Sequence, residues 1–177
     1  MRKEASSSIS YLLIFALILL GGIVAVFVLS KSKGMTNQRD VDDTLSTAVL
    51  GSLIMDDSYF FYTRELGNTV FLFRDTQEAY KKYKDIISKA INENEDFYKN
   101  LTYDIFITYE VEDGMVTITE FYEDGSKYVR TEKLGTVKTP AGEDVVKTSA
   151  YGKVSLDVDL INDSKRTSRD CYCTMEV

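Results

Sequence analysis

The sequence predicts an α+β fold. A long N-terminal transmembrane helix continues into an amphipathic half, and one further helix and an antiparallel β-meander of three to five strands follow. Three patterns carry this prediction: an uncharged apolar run near the start, apolar residues at helical spacing after it, and a period of two beyond residue 100. The expected parts are a short cytoplasmic leader (residues 1–8), the transmembrane helix (9–29), its amphipathic continuation (30–55) and an extracytoplasmic domain (56–177).

The apolar run, Ile9–Leu29, is long enough to cross a bilayer. As a helix, its 21 residues would span about 31 Å. The stretch Val28–Gly34 (VLSKSKG) lacks the small-x-small pattern at which signal peptides are cleaved, so we expect an uncleaved single-pass anchor. Positive charges flank the run on both sides and give little preference for orientation. Because the leader is short, the simplest arrangement places the N-terminus in the cytoplasm and the folded domain outside.

Small residues interrupt the bulky side chains of this run at Gly21, Gly22 and Ala25. Gly21 and Ala25 are four residues apart and therefore share one face of the helix. In lipid, small residues at this spacing let a second helix approach closely. Glycine is also common in membrane helices that make no such contact. We take these three residues, together with Glu4 before the run, as candidate helix-packing residues.

Two helices are predicted beyond the membrane. The first continues the anchor to about Met55, with an apolar stripe at Val41, Leu45, Ala48, Val49 and Ser52. The second covers residues 75–94, where Asp75 and Glu78 fit a capping box. Its broad apolar face consists of Ala79, Tyr80, Tyr83, Ile86, Ile87, Ala90 and Ile91.

The aromatic stretch between these helices has two interpretations. Tyr59, Phe60, Phe61 and Tyr62 are consecutive, and a short strand is possible at residues 69–73. The four aromatic side chains either line a ligand-binding surface or pack as core against the sheet. The sequence leaves both interpretations open.

The period-two region predicts three antiparallel strands over residues 101–134. Asp113-Gly114 and Asp124-Gly125 fit type I′ turns between them. In the first strand Tyr103, Ile105, Ile107 and Tyr109 alternate with Asp104, Phe106 and Thr108. Further strands are predicted at residues 151–161 and 171–177, after a loop that contains Pro140. The acidic turns lack the EF-hand pattern, so no metal site is expected.

Composition excludes several classes of function. The net charge is −7 and no basic stripe is visible, so no nucleic-acid partner is expected. The chain has no His, the commonest general base. It carries no nucleophile, phosphate-loop, dinucleotide or zinc pattern. We therefore expect no enzyme activity, no cofactor and no small-molecule substrate.

The two cysteines, Cys171 and Cys173, are one residue apart. In a strand they would point to the same face, and a disulfide between them would be strained. Two thiols cannot complete a tetrahedral zinc site alone. They are either small, half-buried residues or the source of an intermolecular bridge.

The layout of membrane helix, amphipathic half, further helix and antiparallel sheet resembles the type IV pilin superfamily, which includes the pseudopilins. The stretches VDDTLSTAVLGSLIMDDSYF and FLFRDTQEAYKKYKDIISKAINENED are similar to minor pilin-like proteins of tight-adherence (Flp-type, TadE/TadF-like) pili and related secretion systems. The resemblance covers the part before residue 100. It does not extend to the prepilin processing signal, because no Gly precedes Gly21 and no Gly-x-x-x-x-Glu pattern frames Glu4.

This resemblance implies a pilin-like fold and a structural role in a type IV or tight-adherence pilus or a type II-related secretion assembly. The partners would be membrane lipid and other pilin-like subunits or assembly-platform proteins. Glu4 would pair with the N-terminal amine of a neighbour, because a charge in lipid is tolerated mainly when it is paired. The alternative is a single-pass, membrane-anchored extracytoplasmic module that binds a ligand or senses the state of the envelope.

Overall fold

A computed structural model describes residues 2–93, 99–160 and 163–176. In this part of the chain three helices lead into one antiparallel sheet of five strands. The helices are α1 (Arg2–Ser52), α2 (Asp57–Glu65) and α3 (Thr76–Glu93). The strands are β1 (Lys99–Glu112), β2 (Met115–Tyr122), β3 (Lys127–Lys133), β4 (Ser149–Leu160) and β5 (Asp163–Thr174). The predicted α+β class is confirmed.

Helix α1 runs for 51 residues, about 76 Å, and its two halves have different environments. Every side chain from Tyr11 to Leu29 is exposed. By length and composition this segment is suited to be a membrane span or a signal sequence. The second half carries the predicted stripe, which is confirmed. Its buried residues are Val41, Leu45, Ala48, Val49 and Ser52.

Helix α1 ends at Ser52, short of the predicted end at Met55. The Ser52 hydroxyl donates a hydrogen bond of 2.6 Å to the carbonyl of Val49, inside the last turn. Met55 instead forms an isolated antiparallel bridge with Phe73. The short strand predicted at residues 69–73 is wrong, since only this bridge forms there.

Helix α3 begins at its predicted cap. The Asp75 carboxylate accepts hydrogen bonds from the backbone N–H groups of Gln77 (2.7 Å) and Glu78 (3.4 Å). The Glu78 carboxylate does not complete the predicted box but binds the Arg74 guanidinium at 2.6 Å. The predicted apolar face is confirmed. It is buried at Ala79, Tyr80, Tyr83 and Ile87 and half-buried at Ile86, Ala90 and Ile91.

The strand order is β3-β2-β1-β4-β5, so β1 lies at the centre of the sheet. The second half of α1 and helix α3 cover one face and bury the larger core there. The Tyr83 ring stacks on Phe106 with ring centroids 4.6 Å apart, and the Tyr80 ring stacks on Phe121 at 4.7 Å. The Tyr80 hydroxyl also donates to the backbone carbonyl of Tyr122 at 3.0 Å.

The opposite face of the sheet is covered by the loop of residues 134–148. Val137 and Val145 are joined by a backbone hydrogen bond of 3.1 Å and lie buried on this face. They pack with a second cluster from the strands, which consists of Ile107, Tyr109, Val116, Ile118 and Tyr151. The central strands are thus buried on both faces.

This double coverage corrects the simple alternation predicted for β1. Phe106 is as buried as its neighbour Ile107, because each faces a different core. The register also shifts between Tyr103 and Ile105, which marks a β-bulge. Tyr103 therefore faces the helices, whereas Ile105 faces the loop side. The extra residue, Asp104, accepts a hydrogen bond from the Ser155 hydroxyl at 2.6 Å.

The two hairpin turns are not alike. Asp113 and Gly114 both have positive φ, 49° and 74°, as a type I′ turn requires. In the second hairpin Gly125 has a φ of 81° but Asp124 is not left-handed, so the type I′ prediction is wrong there. Strand β5 begins before the predicted residue 171 and pairs with β4 along its whole length.

Candidate functional site

The small-residue face predicted on the anchor is open in the structure. Gly21, Gly22 and Ala25 are exposed, and a methyl group added to either glycine would meet no atom within 4 Å. Bulky neighbours such as Leu20 and Val24 project beside this gap and are themselves exposed. These three positions therefore form a notch of small side chains on the first half of α1. The side chain of Glu4 lies outside the described residues.

The second half of α1 is fixed to the sheet at one close contact. A Cβ added to Gly152 in β4 would lie 2.7 Å from Tyr83 Cε2 and 2.9 Å from Val49 Cγ2. The absence of a side chain at Gly152 is thus what lets α1 and α3 settle together on the strand. Sequence reasoning missed this position, because an isolated Gly in a strand does not reveal what approaches it.

Two further contacts tie α1 to its surroundings. A Cβ added to Gly51 would lie 2.6 Å from Ile86 Cδ1, so the two helices cross closely at this point. Near the entry to the domain, the Arg169 guanidinium of β5 lies 3.4 Å from the Asp42 carboxylate of α1. Together with the buried stripe, these contacts make the second half of α1 a structural part of the domain.

The four consecutive aromatic residues divide between the two predicted roles. Phe60 is buried and stacks on Phe71 with ring centroids 5.2 Å apart. Tyr59 is half-buried, and its hydroxyl donates to the Glu112 carboxylate. This contact is the main reason that the pKa of Tyr59 is raised. Phe61 and Tyr62 are each 59% exposed. Of the four, Phe60 therefore packs in the interior, Tyr59 is partly exposed, and Phe61 and Tyr62 are at the surface.

The exposed pair belongs to a helix that sequence reasoning did not predict. Helix α2 starts at Asp56, whose carboxylate accepts a hydrogen bond from the backbone N–H of Tyr59 at 3.0 Å. On its outer side Leu66, just after the helix, is 68% exposed and one turn beyond Tyr62. Phe61, Tyr62 and Leu66 thus form a small apolar surface, which we name the α2 surface. The available signal was the capping residue Asp56, followed by one short amphipathic turn.

The two cysteines lie beneath α1. Cys171 pairs with Gly152 and Cys173 with Ala150 in the β4–β5 ladder, so both thiols are on the helix-covered face. Both are half-buried, and their Sγ atoms are 3.6 Å apart. A hydrogen bond from Cys173 is the largest cause that lowers the pKa of Cys171 to about 7, and a hydrogen bond with Ser46 of α1 contributes. The same pairing raises the pKa of Cys173.

One half-buried carboxyl group, that of Glu110, supports the fold near α2. Burial raises the pKa of Glu110 in β1, and a hydrogen bond of 3.1 Å from the backbone N–H of Phe73 partly opposes this effect. The carboxyl group thereby ties the segment after α2 to the centre of the sheet. Within the described residues, no group of three or more His, Cys, Asp or Glu side chains is arranged to hold a metal ion.

Comparisons with protein-family models, with curated proteins and with solved structures give no match to this chain. Three features stand out from the fold: the bare notch on α1, the buried second half of the same helix, and the α2 surface.

Proposed function

We propose that this chain is a pilin-like structural subunit, a minor pilin or pseudopilin of a type IV or tight-adherence pilus or of a type II-related secretion assembly. It acts by helix packing and not by catalysis. One observation carries the proposal: a single continuous helix is exposed and apolar over Tyr11–Leu29, and within residues 41–52 it buries one apolar stripe against an antiparallel sheet. Such a helix can pack against other subunits in lipid while it holds the domain in a fixed position outside.

The notch at Gly21, Gly22 and Ala25 is the proposed contact with neighbouring helices. Within the described part of the chain, nothing covers the two glycines, and in a bilayer small residues allow backbones to approach closely. The partners are membrane lipid and other pilin-like or platform subunits. Residues 1–8 would lie in the cytoplasm, where Glu4 can pair with a neighbour's N-terminal amine.

Cysteine crosslinking in native membranes tests this contact. In a Cys171→Ser, Cys173→Ser background, Gly21→Cys or Ala25→Cys is expected to give disulfide-linked products with a partner helix after oxidation. Ile23→Cys is the matched control, because it lies about 200° around the helix from Gly21. Partners are identified by mass spectrometry of the crosslinked bands. Monomer only, or equal crosslinking from Ile23→Cys, would contradict the proposal.

The proposed orientation has its own test. In the same cysteine-free background, Tyr62→Cys places a thiol on the exposed side of α2. A membrane-impermeant maleimide is expected to label it in intact cells. Labelling that requires lysis would place the domain in the cytoplasm and refute the orientation.

The second candidate function is an anchored binding or sensing module. The observation that favours it is the α2 surface, where Phe61, Tyr62 and Leu66 are each more than half exposed. The two candidates respond differently to substitution. An unrelated leucine-rich span in place of Ile9–Leu29 abolishes an assembly role but leaves a plain anchor functional. The double substitution Phe61→Ser, Tyr62→Ser abolishes a binding or sensing role but leaves an assembly role intact.

A further inference from the structure

The structure holds a pair of thiols in a position that the proposed assembly role does not use. Cys171 and Cys173 lie on one face of β5, opposite Gly152 and Ala150. Their Sγ atoms are 3.6 Å apart, close enough for a sulfur hydrogen bond. Each cysteine is half-buried, so part of its surface remains open to solvent.

We propose that Cys171 and Cys173 form a dithiol site that exchanges with external disulfides and closes reversibly into a Cys171–Cys173 disulfide. The ligand class is a disulfide, either a low-molecular-weight one or one carried by another protein. The inference concerns the domain and does not depend on whether the chain joins an assembly.

Closure of this pair requires β5 to bend. Residues i and i+2 of a strand have Cα atoms about 6.6–6.8 Å apart, at the upper limit of the separations of about 4.4–6.8 Å that disulfides tolerate. Strand β5 is the last strand in the sheet order of the described residues, so one of its sides has no ladder partner there. On its other side both cysteines are paired with β4, so closure strains this pairing and the disulfide.

The surroundings give the two thiols different roles in the exchange. A hydrogen bond from Cys173, together with a contact to Ser46, lowers the pKa of Cys171 to about 7, so its thiolate is well populated at neutral pH. The pKa of Cys173 is raised by the same pairing. Since the thiolate is the nucleophile in thiol–disulfide exchange, Cys171 attacks first and Cys173 resolves the intermediate.

The steps balance without a metal or further cofactor. The Cys171 thiolate attacks one sulfur of the external disulfide, its S–S bond breaks, and one thiolate leaves. The Cys173 thiol then gives its proton to that thiolate, and its sulfur displaces the second half of the reagent from Cys171. The second half of the reagent leaves as a thiolate and takes up the proton that Cys171 released when it ionised. In total the protein loses two protons and two electrons, and the external disulfide is reduced to two thiols. Strained disulfides of this kind are readily reduced again.

Closure also affects α1. The contact between Ser46 and Cys171 is one of the links between the second half of α1 and β5, and it changes when the sulfur is oxidised. Oxidation is therefore expected to speed up amide hydrogen exchange in residues 45–49 of α1. Identical exchange in the reduced and oxidised forms would refute this link.

The test uses the full chain in detergent micelles, with oxidised glutathione as the probe at neutral pH. Intact mass and peptide mapping after alkylation report the product. The expected product is a monomer that has lost two hydrogens, carries no glutathione and regains two alkylatable thiols after reduction. Lasting glutathione adducts, disulfide-linked dimers, or unreacted thiols in the folded protein would each overturn the proposal.

Single variants test the assigned roles. Cys173→Ser is expected to stop at a stable glutathione adduct on Cys171, because no second thiol remains to displace the glutathione. Cys171→Ser should react about tenfold more slowly than Cys173→Ser, because burial still raises the pKa of the remaining thiol. Equal rates for the two variants would contradict the order of attack. Ser46→Ala keeps both cysteines and removes only the contact from α1, so it should slow the first step.

Discussion

Gly152→Ala tests whether the close approach of the helices to β4 determines the stability of the domain. The added Cβ would lie 2.7 Å and 3.0 Å from two atoms of the Tyr83 ring and 2.9 Å from Val49 Cγ2. Real Cβ atoms almost never approach heavy atoms this closely. Tyr83 is fully buried and stacks on Phe106, so its ring cannot turn away without moving α3.

The expected loss follows from two opposing effects. Overpacking of this kind typically costs about 1–3 kcal/mol, and the rigid ring places Gly152→Ala in the upper part, about 2–3 kcal/mol. Replacing Gly by Ala also restricts the unfolded chain, which returns about 0.4–1 kcal/mol. The net loss is therefore about 1–2.5 kcal/mol of unfolding free energy. For a domain of this size, that corresponds to a melting temperature lower by about 4–10 °C.

Urea unfolding of the full chain in detergent measures this loss. Tyrosine fluorescence is the probe, since the chain has 12 Tyr and no Trp. Gly51→Ala is the matched control. Its Cβ would lie 2.6 Å from Ile86 Cδ1, but that atom is the free end of a flexible side chain. In a helix, Ala is favoured over Gly by about 1 kcal/mol, so Gly51→Ala should be neutral or stabilising.

A double-mutant cycle identifies the cause. If the Tyr83 ring is the obstacle, Gly152→Ala should cost less in a Tyr83→Leu background than in the native one. A Gly152→Ala variant at least as stable as the native chain would refute the reasoning. So would a loss of the same size in both backgrounds, because the ring would then play no part.

Three further predictions concern single groups. Asp75→Ala should lower the free energy of unfolding in urea by about 1 kcal/mol. Asp75→Asn still caps α3 and should cost little. Equal losses for the two variants would argue against the cap. Burial raises the pKa of Glu110, so the folded chain keeps this proton to higher pH than the unfolded chain does. Stability should therefore fall as the pH rises from the ordinary carboxyl pKa through the raised pKa of Glu110. In a pH series of melting curves, stability should depend less steeply on pH in Glu110→Gln than in the native chain. If the slope of stability against pH were the same in Glu110→Gln and the native chain, Glu110 would be excluded as the source of this pH dependence. Asp42→Asn removes a partly exposed ion pair with Arg169 and should change the free energy of unfolding by about 1 kcal/mol or less. A larger loss in urea would mean that the pair holds α1 in place.

Local patterns determined much of this protein. The buried stripe of α1, the apolar face of α3 and the turn at Asp113-Gly114 were all predicted correctly. Each depends on neighbours within a few positions in the chain: the helical period, a capping carboxylate or a pair of residues that accept positive φ. The same reasoning missed helix α2, because its nine residues are too few for a clear period and its aromatic content is typical of strands.

Only the tertiary structure decided the features that join distant segments. The place of β4 beside β1, the burial of both faces of the central strand and the bulge at Asp104 depend on how layers stack. The spacing of apolar residues in the sequence does not specify which helix or loop covers each face of the sheet. The same is true of Gly152, whose missing side chain has meaning only because Tyr83 and Val49 arrive above it from two different helices. Cys171 and Cys173 share a face by local geometry alone, but their position beneath Ser46 of α1 is set by packing between segments more than a hundred residues apart in the sequence.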